Sequence, residues 1–411
     1  MAIELSTIMF TDQDDIVPPS GVERILNTGV ANTLAGNDTI TGFGVPYKVY
    51  RPKGVGILNS GTLNTAEGND LITGTGDFRG IDNSGTLNTA EGNDTITGSE
   101  GFHGIDNYGT LNTAEGNDLI TALGSIYGIY NDGTLNTAEG NDLITASGGA
   151  YGIYNGSFAF NTGDGNDTIN GSGGLLYDIN NNGFINTGDG DDIITGSGAI
   201  CNESIINTGN GEDSISQGWF YNYGEVFLGD GNDSIILNID STEFPMLALE
   251  NLNAIEMGDG DDLITSTGVI YNNKGVINTG NGNDSIIVDA GFNMSRPRIY
   301  NDGGSINTGE GNDIIIANGG FESGSNSSGS VFLGNGEDYL NSFGSGDFYG
   351  GNDEDTLELT SGSYTVGISG TAVNFTKDSI IMNTYEFEKL IAGSTTYNFS
   401  SLTNGQTIFV A

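Results

Sequence analysis

The sequence predicts an all-β fold: a parallel β-solenoid, β-roll or β-helix-like, of about thirteen coils with a small C-terminal β-rich cap. Three observations carry this. The hexapeptide Glu67-Gly68-Asn69-Asp70-Leu71-Ile72 returns as Glu91 to Ile96, Glu115 to Ile120 and Glu139 to Ile144, each 24 residues after the last. Looser copies surround Asp167, Asp192, Asp213, Asp233, Asp262, Asp284, Asp313 and Asp338, and Ala35 to Ile40 around Asp38 is an early one. Aligning the copies on this Asp produces apolar columns: Leu63, Leu87, Leu111 and Leu135 seven residues before it, Ile72, Ile96, Ile120 and Ile144 two residues after it, and Ile57, Ile81, Ile105 and Ile129 ahead of an Asn-x-Gly turn. Finally, the segments between Gly and Asn are too short for helices, and no 3.6-residue stripe persists.

Residues 1–24 are acidic and non-repetitive, with Pro18-Pro19 as punctuation, and read as an N-terminal arm or cap. Over 25–345 each coil reads as strand, tight turn, strand, acidic turn, strand and a variable connection. The Asn that follows the Leu column (Asn64, Asn88, Asn186, Asn307) is expected to form a ladder of side-chain amides. Extra residues fall in connections, as in Val45 to Gly54, Leu237 to Asn253, Val288 to Tyr300 and Gly319 to Gly329, which read as surface loops. The repeat then decays. Gly350 to Leu357 is a distorted last copy, and 346–411 is expected to form a C-terminal cap and secretion signal. Its predicted strands are Tyr364–Ser369, Ala372–Thr376 and Ser379–Asn383, followed by a short helix over Tyr385–Ile391.

Composition narrows the partners. Fifty-four acidic residues against ten Lys and Arg leave a net charge of −44, which repels nucleic acid and anionic membranes and attracts cations. No run of about 18 apolar residues exists, so no membrane insertion is expected. The single cysteine, Cys201, allows no intramolecular disulfide. The first residues lack a basic segment and carry Glu4, so no cleavable signal peptide is expected.

The acids concentrate in one turn per repeat, which solubility alone does not require. Stacked coils bring successive Asp carboxylates to about 5 Å, where each pair repels by roughly 3 kcal/mol at an effective dielectric constant near 20. Such a row calls for counter-ions, and hard oxygen donors suit Ca²⁺ better than Mg²⁺. Simple turn chemistry, in which Gly, Asn and Asp dominate anyway, is the inert alternative.

Thr187-Gly-Asp-Gly-Asp-Asp192-Ile-Ile194 and Thr162-Gly-Asp-Gly-Asn-Asp167-Thr-Ile169 resemble the GGxGxDxUx nonapeptide of the RTX, or haemolysin-type, calcium-binding family. The resemblance covers roughly residues 28–355. It implies carboxylate ligands at Asp38, Asp70, Asp94, Asp118, Asp142, Asp167, Asp192, Asp213, Asp233, Asp262, Asp284, Asp313 and Asp338. Turn carbonyls would be supplied at Gly163, Gly188, Gly229 and Gly258. The early copies depart from it, since Leu34, Ala66, Ala90, Ala114 and Ala138 stand where the family has its second Gly; there Glu67, Glu91, Glu115 and Glu139 either supply carboxylates or fan into water. One acidic turn per coil predicts one ion row. The resemblance also implies type I secretion without a cleaved signal, an extracellular or cell-surface location, and folding where Ca²⁺ is plentiful.

The expected function is therefore a secreted calcium-binding repeat protein with a structural, surface or matrix role and no catalysis; cell-surface polysaccharide or self-association would be its further partners. One alternative is a polysaccharide lyase or epimerase on a β-helix. Against it, the one histidine, His103, stands in a column with Arg79, Tyr127 and Tyr151 that reads as a surface or corner row. Another is an ice- or carbohydrate-binding solenoid. The Thr62, Thr86, Thr110, Thr134 column ends at Ala159, however, and Tyr127, Tyr130, Tyr151 and Tyr154 read first as packing between coils. Nothing resembles an apolar helical domain for pore formation.

Overall fold

Isoleucine and threonine, alternating between Gly and Asn, favour a pleated strand with one face buried. In the computed structural model, which describes residues 2–18, 23–44, 54–239, 247–289, 299–324 and 328–411, nearly every such run is a strand. Only two single-turn 3₁₀ helices occur among the described residues, Leu5–Thr7 and Phe399–Ser401. Of the loops expected at 45–54, 237–253, 288–300 and 319–329, residues 45–53, 240–246, 290–298 and 325–327 lie outside the described residues. Leu247–Asn251, Ile299–Asp302 and Phe321–Glu322 are strands instead, their backbones paired with neighbouring coils.

The chain forms two compact units, Met1–Asn210 and Gly211–Ala411. In the first, each coil contributes one strand to each of three parallel sheets. Val55–Asn59, Arg79–Asn83, His103–Asn107 and Tyr127–Asn131 belong to the first sheet. Thr62–Asn64, Thr86–Asn88 and Thr110–Asn112 belong to the second, and Leu71–Thr75, Thr95–Ser99 and Leu119–Gly124 to the third. Register is one repeat per rung, so Ile81 stacks on Ile57, Leu87 on Leu63 and Ile96 on Ile72. All six are fully buried. These three columns fill the interior.

The second unit repeats the plan with longer second-sheet strands, such as Glu225–Asp230 and Ala254–Asp259, which run on into the acidic turn. Parallel coils continue past residue 345, with Gly346–Tyr349 pairing Met382–Tyr385 and Thr356–Leu359 pairing Lys389–Ala392. The expected helix at 385–391 is therefore absent: Lys389–Ala392 satisfies its backbone in the ladder instead. Antiparallel strands Gly362–Ser369, Ala372–Lys377, Ile380–Tyr385 and Thr407–Val410 form the cap, with Ile408 and Val410 buried in it.

The N-terminal segment is a coil in disguise rather than a non-repetitive arm. Ala2–Glu4 pairs in parallel with Arg24–Leu26, and Ile16–Val17 with Thr39–Ile40. Its sequence has drifted so far that only the Asp14-Asp15-Ile16 remnant of the turn remains.

Two amide ladders run through unit one, with opposite polarity. In the expected one, Asn88 donates back to Asn64, and Asn112 to Asn88, both at 2.6 Å. The second lies deeper and uses the Asn of the Asn-x-Gly turn: Asn59 donates forward to Asn83 at 2.7 Å, Asn83 to Asn107 and Asn107 to Asn131 at 2.8 Å. These side chains are fully buried, and each Nδ2 of Asn59, Asn83 and Asn107 also donates to a carbonyl of the next coil. Asn107→Ala is expected to cost about 1–3 kcal/mol for each buried group it leaves unpaired. Asn88→Ala, in the half-exposed ladder, should cost less. Denaturant titration of both variants checks the ranking.

Candidate metal centre

The acidic turn joins the second-sheet strand to the third-sheet strand in coil after coil, so its aspartates form one column within each unit. Asp38, Asp70, Asp94, Asp118, Asp142, Asp167 and Asp192 in unit one, and Asp213, Asp233, Asp262, Asp284, Asp313 and Asp338 in unit two, are all at most 3% exposed. Asp355 continues the column, also buried.

Backbone geometry explains the residues before the Asp. Two residues ahead, a glycine holds a positive φ of 134–150° from Gly36 to Gly336. Its N–H donates to a carbonyl of the following coil, as Gly92 does to Glu115 at 2.9 Å. A Cβ on Gly92 would lie 1.7 Å from the Gly68 carbonyl oxygen, so close stacking by itself demands glycine there. The Asn just before the Asp forms an exposed ladder, its Oδ1 accepting the N–H of the matching residue one coil later: Asn69 N–H to Asn37, Asn93 to Asn69 and Asn117 to Asn93, at 2.7–2.8 Å.

The aspartates run the other way. Each Oδ1 accepts the backbone N–H of the preceding coil's aspartate, from Asp38 N–H to Asp70 through Asp167 N–H to Asp192, at 2.7–2.8 Å. In unit two the same bonds run from Asp213 N–H to Asp233 through Asp338 N–H to Asp355, at 2.8–3.0 Å. Both ends are finished by residues the sequence reading did not single out. Asp15 N–H opens the row on Asp38 at 2.8 Å, and Asp355 N–H closes it on the Glu388 carboxylate at 2.9 Å.

The second carboxylate oxygen is different. Oδ2 of Asp70, Asp94, Asp118, Asp142 and Asp167, and of Asp233, Asp262, Asp313 and Asp338, is buried without a hydrogen-bond partner. The Thr65 hydroxyl stands close enough to Asp70 to pull its carboxyl down, and it also reaches the Thr89 carbonyl at 3.4 Å. Asp284 is the exception, receiving the Thr279 hydroxyl on Oδ2 at 2.5 Å. Burial drives these carboxyls far above the usual range, against the pull of their hydrogen bonds. Asp70, Asp118, Asp167, Asp233 and Asp313 are pushed up to about 7, and Asp262 to about 8.

A row of buried, under-satisfied carboxylate oxygens fits either a proton or a cation at each one. The donors around it are hard oxygens: one carboxylate per coil, a Thr hydroxyl in most coils, and turn carbonyls. Among the described residues no three Asp, Glu, His or Cys side chains converge. An ion needing six to eight oxygens would therefore draw mainly on backbone and hydroxyl donors from two successive coils. Glu67, Glu91, Glu115 and Glu139 are exposed, so they fan into solvent and do not join the Asp column.

The turn comes in two backbone classes. Leu34, Ala66, Ala90, Ala114 and Ala138 sit at φ 60–69°, the left-handed helical well. Gly163, Gly188 and Gly209 adopt 97–98°, and Gly229 and Gly258 adopt 107° and 116°, where side chains rarely go. The departure from Gly to Ala seen in the sequence is thus a departure in backbone conformation.

The other titratable cluster lies on the first sheet. Arg79 binds Asp82 at 2.6 Å and also pairs with the fully buried Asp106, which His103 contacts through Nδ1. Beyond it Tyr127 stacks on Tyr151 and Tyr130 on Tyr154, nearly parallel at 5.1 and 5.0 Å. These rings cover one another's faces, as packing between coils requires.

No protein-family model matches the chain, and no curated protein does.

The raised carboxyls fix a pH dependence. Their folded values of about 6–8 exceed the unfolded value near 3.9, so the folded state holds more protons between those limits. In divalent-free buffer stability should therefore fall as pH rises from about 4 to about 8, and then level off. Thermal melts in chelator across that range test this, and Asp118→Asn should flatten the slope.

Proposed function

We propose that this chain is a calcium-binding β-solenoid that folds on meeting Ca²⁺ outside the cell and serves a structural, surface or matrix role without catalysis. The observation that carries the reading is the row of buried Oδ2 atoms, repeated coil after coil on a chain of net charge −44. Asp Oδ2, the neighbouring Thr hydroxyls and the turn carbonyls would hold the ions. Bound Ca²⁺ would supply positive charge beside carboxyls that burial otherwise pushes toward the protonated form. The likeness of Thr162–Ile169 and Thr187–Ile194 to the RTX nonapeptide points the same way, and secretion rests on that likeness alone.

Binding energy of this kind becomes folding energy. Each site saturated at a hundredfold excess over its Kd would add about 2.7 kcal/mol. Circular dichroism and thermal melting should show more strand and a higher Tm in Ca²⁺ than in chelator, with protons released on binding. Asp167→Asn and Asp233→Asn keep an Oδ1 acceptor but lose a carboxylate, and each should reduce the Ca²⁺-dependent rise. A melt unchanged by chelator at neutral pH would overturn the proposal.

A further inference from the structure

An asparagine followed by glycine readily loses its side-chain amide, because a nitrogen with no Cβ beside it can reach the side-chain carbonyl carbon. A glycine N–H already donating a hydrogen bond is held away from that attack. Asn-Gly occurs eight times in the chain. In five copies the glycine N–H donates to a backbone carbonyl: Gly156 to Asn131 at 2.7 Å, Gly211 to Asp230 at 2.8 Å, Gly282 to Glu310 at 2.6 Å, Gly336 to Asn352 at 3.2 Å and Gly405 to Val366 at 2.8 Å. Gly183 donates to the Asn181 side chain at 3.3 Å, and Gly171 lies in a strand paired on both sides. The eighth copy differs. Asn318 and Gly319 are the two central residues of a tight turn, closed by the Gly320 N–H on the Ala317 carbonyl at 2.8 Å. Asn318 is exposed, and among the described residues neither its side chain nor the Gly319 N–H has a hydrogen-bond partner. Exposure alone does not single it out, since Asn281, Asn335 and Asn404 are exposed too. Their side chains are held, however. Asn281 donates to Asp259 and Asn335 accepts from Asn352, both at 2.5 Å, and Asn404 accepts the Ile368 N–H at 3.1 Å.

We propose that Asn318 is the site at which the folded chain modifies itself, by deamidation. The Gly319 nitrogen attacks Cγ of Asn318 and gives up its proton, closing a five-membered imide, and the side-chain nitrogen leaves as ammonia. Water then opens the ring at either carbonyl, giving aspartate or isoaspartate. The only co-reactant is water. Both products add a negative charge, and isoaspartate also adds a methylene to the backbone of the turn. That turn is tied on both sides: the Gly320 carbonyl accepts the Ile299 N–H at 3.2 Å, and the Phe321 N–H donates to the Phe343 carbonyl at 3.1 Å. A lengthened backbone there strains the pairing with both neighbouring coils. The site stands independently of the calcium reading.

The full chain, incubated with Ca²⁺ in mildly alkaline buffer and then mapped by peptide mass spectrometry, tests this. Conversion at Asn318 should run about tenfold or more ahead of Asn281, Asn335 and Asn404, whose glycine nitrogens are engaged. In denaturant the four rates should converge to within a few-fold, because only the fold separates them. Gly319 is not among the glycines held at positive φ, so Gly319→Ala suits the turn and should slow conversion about tenfold. Asn318→Gln should abolish the modification in that peptide and leave the circular dichroism spectrum unchanged. Folded-state conversion at Asn318 no faster than at the other three overturns the proposal. So does a lead for Asn318 that persists undiminished in denaturant, which would assign it to local sequence rather than to the fold.

Discussion

At the acidic corner of each coil the backbone N–H of the aspartate is met by the carboxylate of the following coil rather than by a carbonyl. The rest of the corner follows from that bond. It holds the aspartate side chain inward, which buries Oδ2 and raises the carboxyl. It needs the turns to stack closely, and close stacking leaves no room for a Cβ on the glycine two residues earlier. The Asn between them completes the pattern with bonds of the opposite sense, so each coil is tied to both neighbours at two adjacent residues.

This arrangement separates two roles that one residue performs. Oδ1 is structural and would be served equally by asparagine, as a hydrogen-bond acceptor. Oδ2 has no such task in most coils, yet the residue is Asp at every one of these corners and Asn at the position before it in most. The carboxylate thus stands where its charge is costly to bury, and the proposed ion would offset that cost.

Much of this was legible in the sequence because a strict period turns composition into columns. Ile72, Leu63 and Ile57 announced the core, and the Asp and Gly columns announced the turn. Three features were not. The N-terminal coil hides because Gln13 stands where the turns of Asp38 to Asp338 have glycine; its strand pairings and the bond from Asp15 to Asp38 reveal it. The buried Asn59–Asn83–Asn107 ladder reads in sequence as turn chemistry; its signal was an Asn fixed two residues after each buried Ile. The helix expected at 385–391 failed because local propensity yields to ladder pairing when an open sheet edge is adjacent.

The bond from aspartate to aspartate is the same at each step, so nothing in it counts coils. In unit one it starts from Asp15, whose own Oδ2 turns back to cap the Thr11 N–H, and in unit two it ends on Glu388, whose longer side chain reaches in from the cap. A gene encoding such a chain can gain or lose whole coils by unequal recombination, whatever their length, and leave the bond at each remaining step unchanged. Length is then free to drift under selection, while the chemistry of the corner is not.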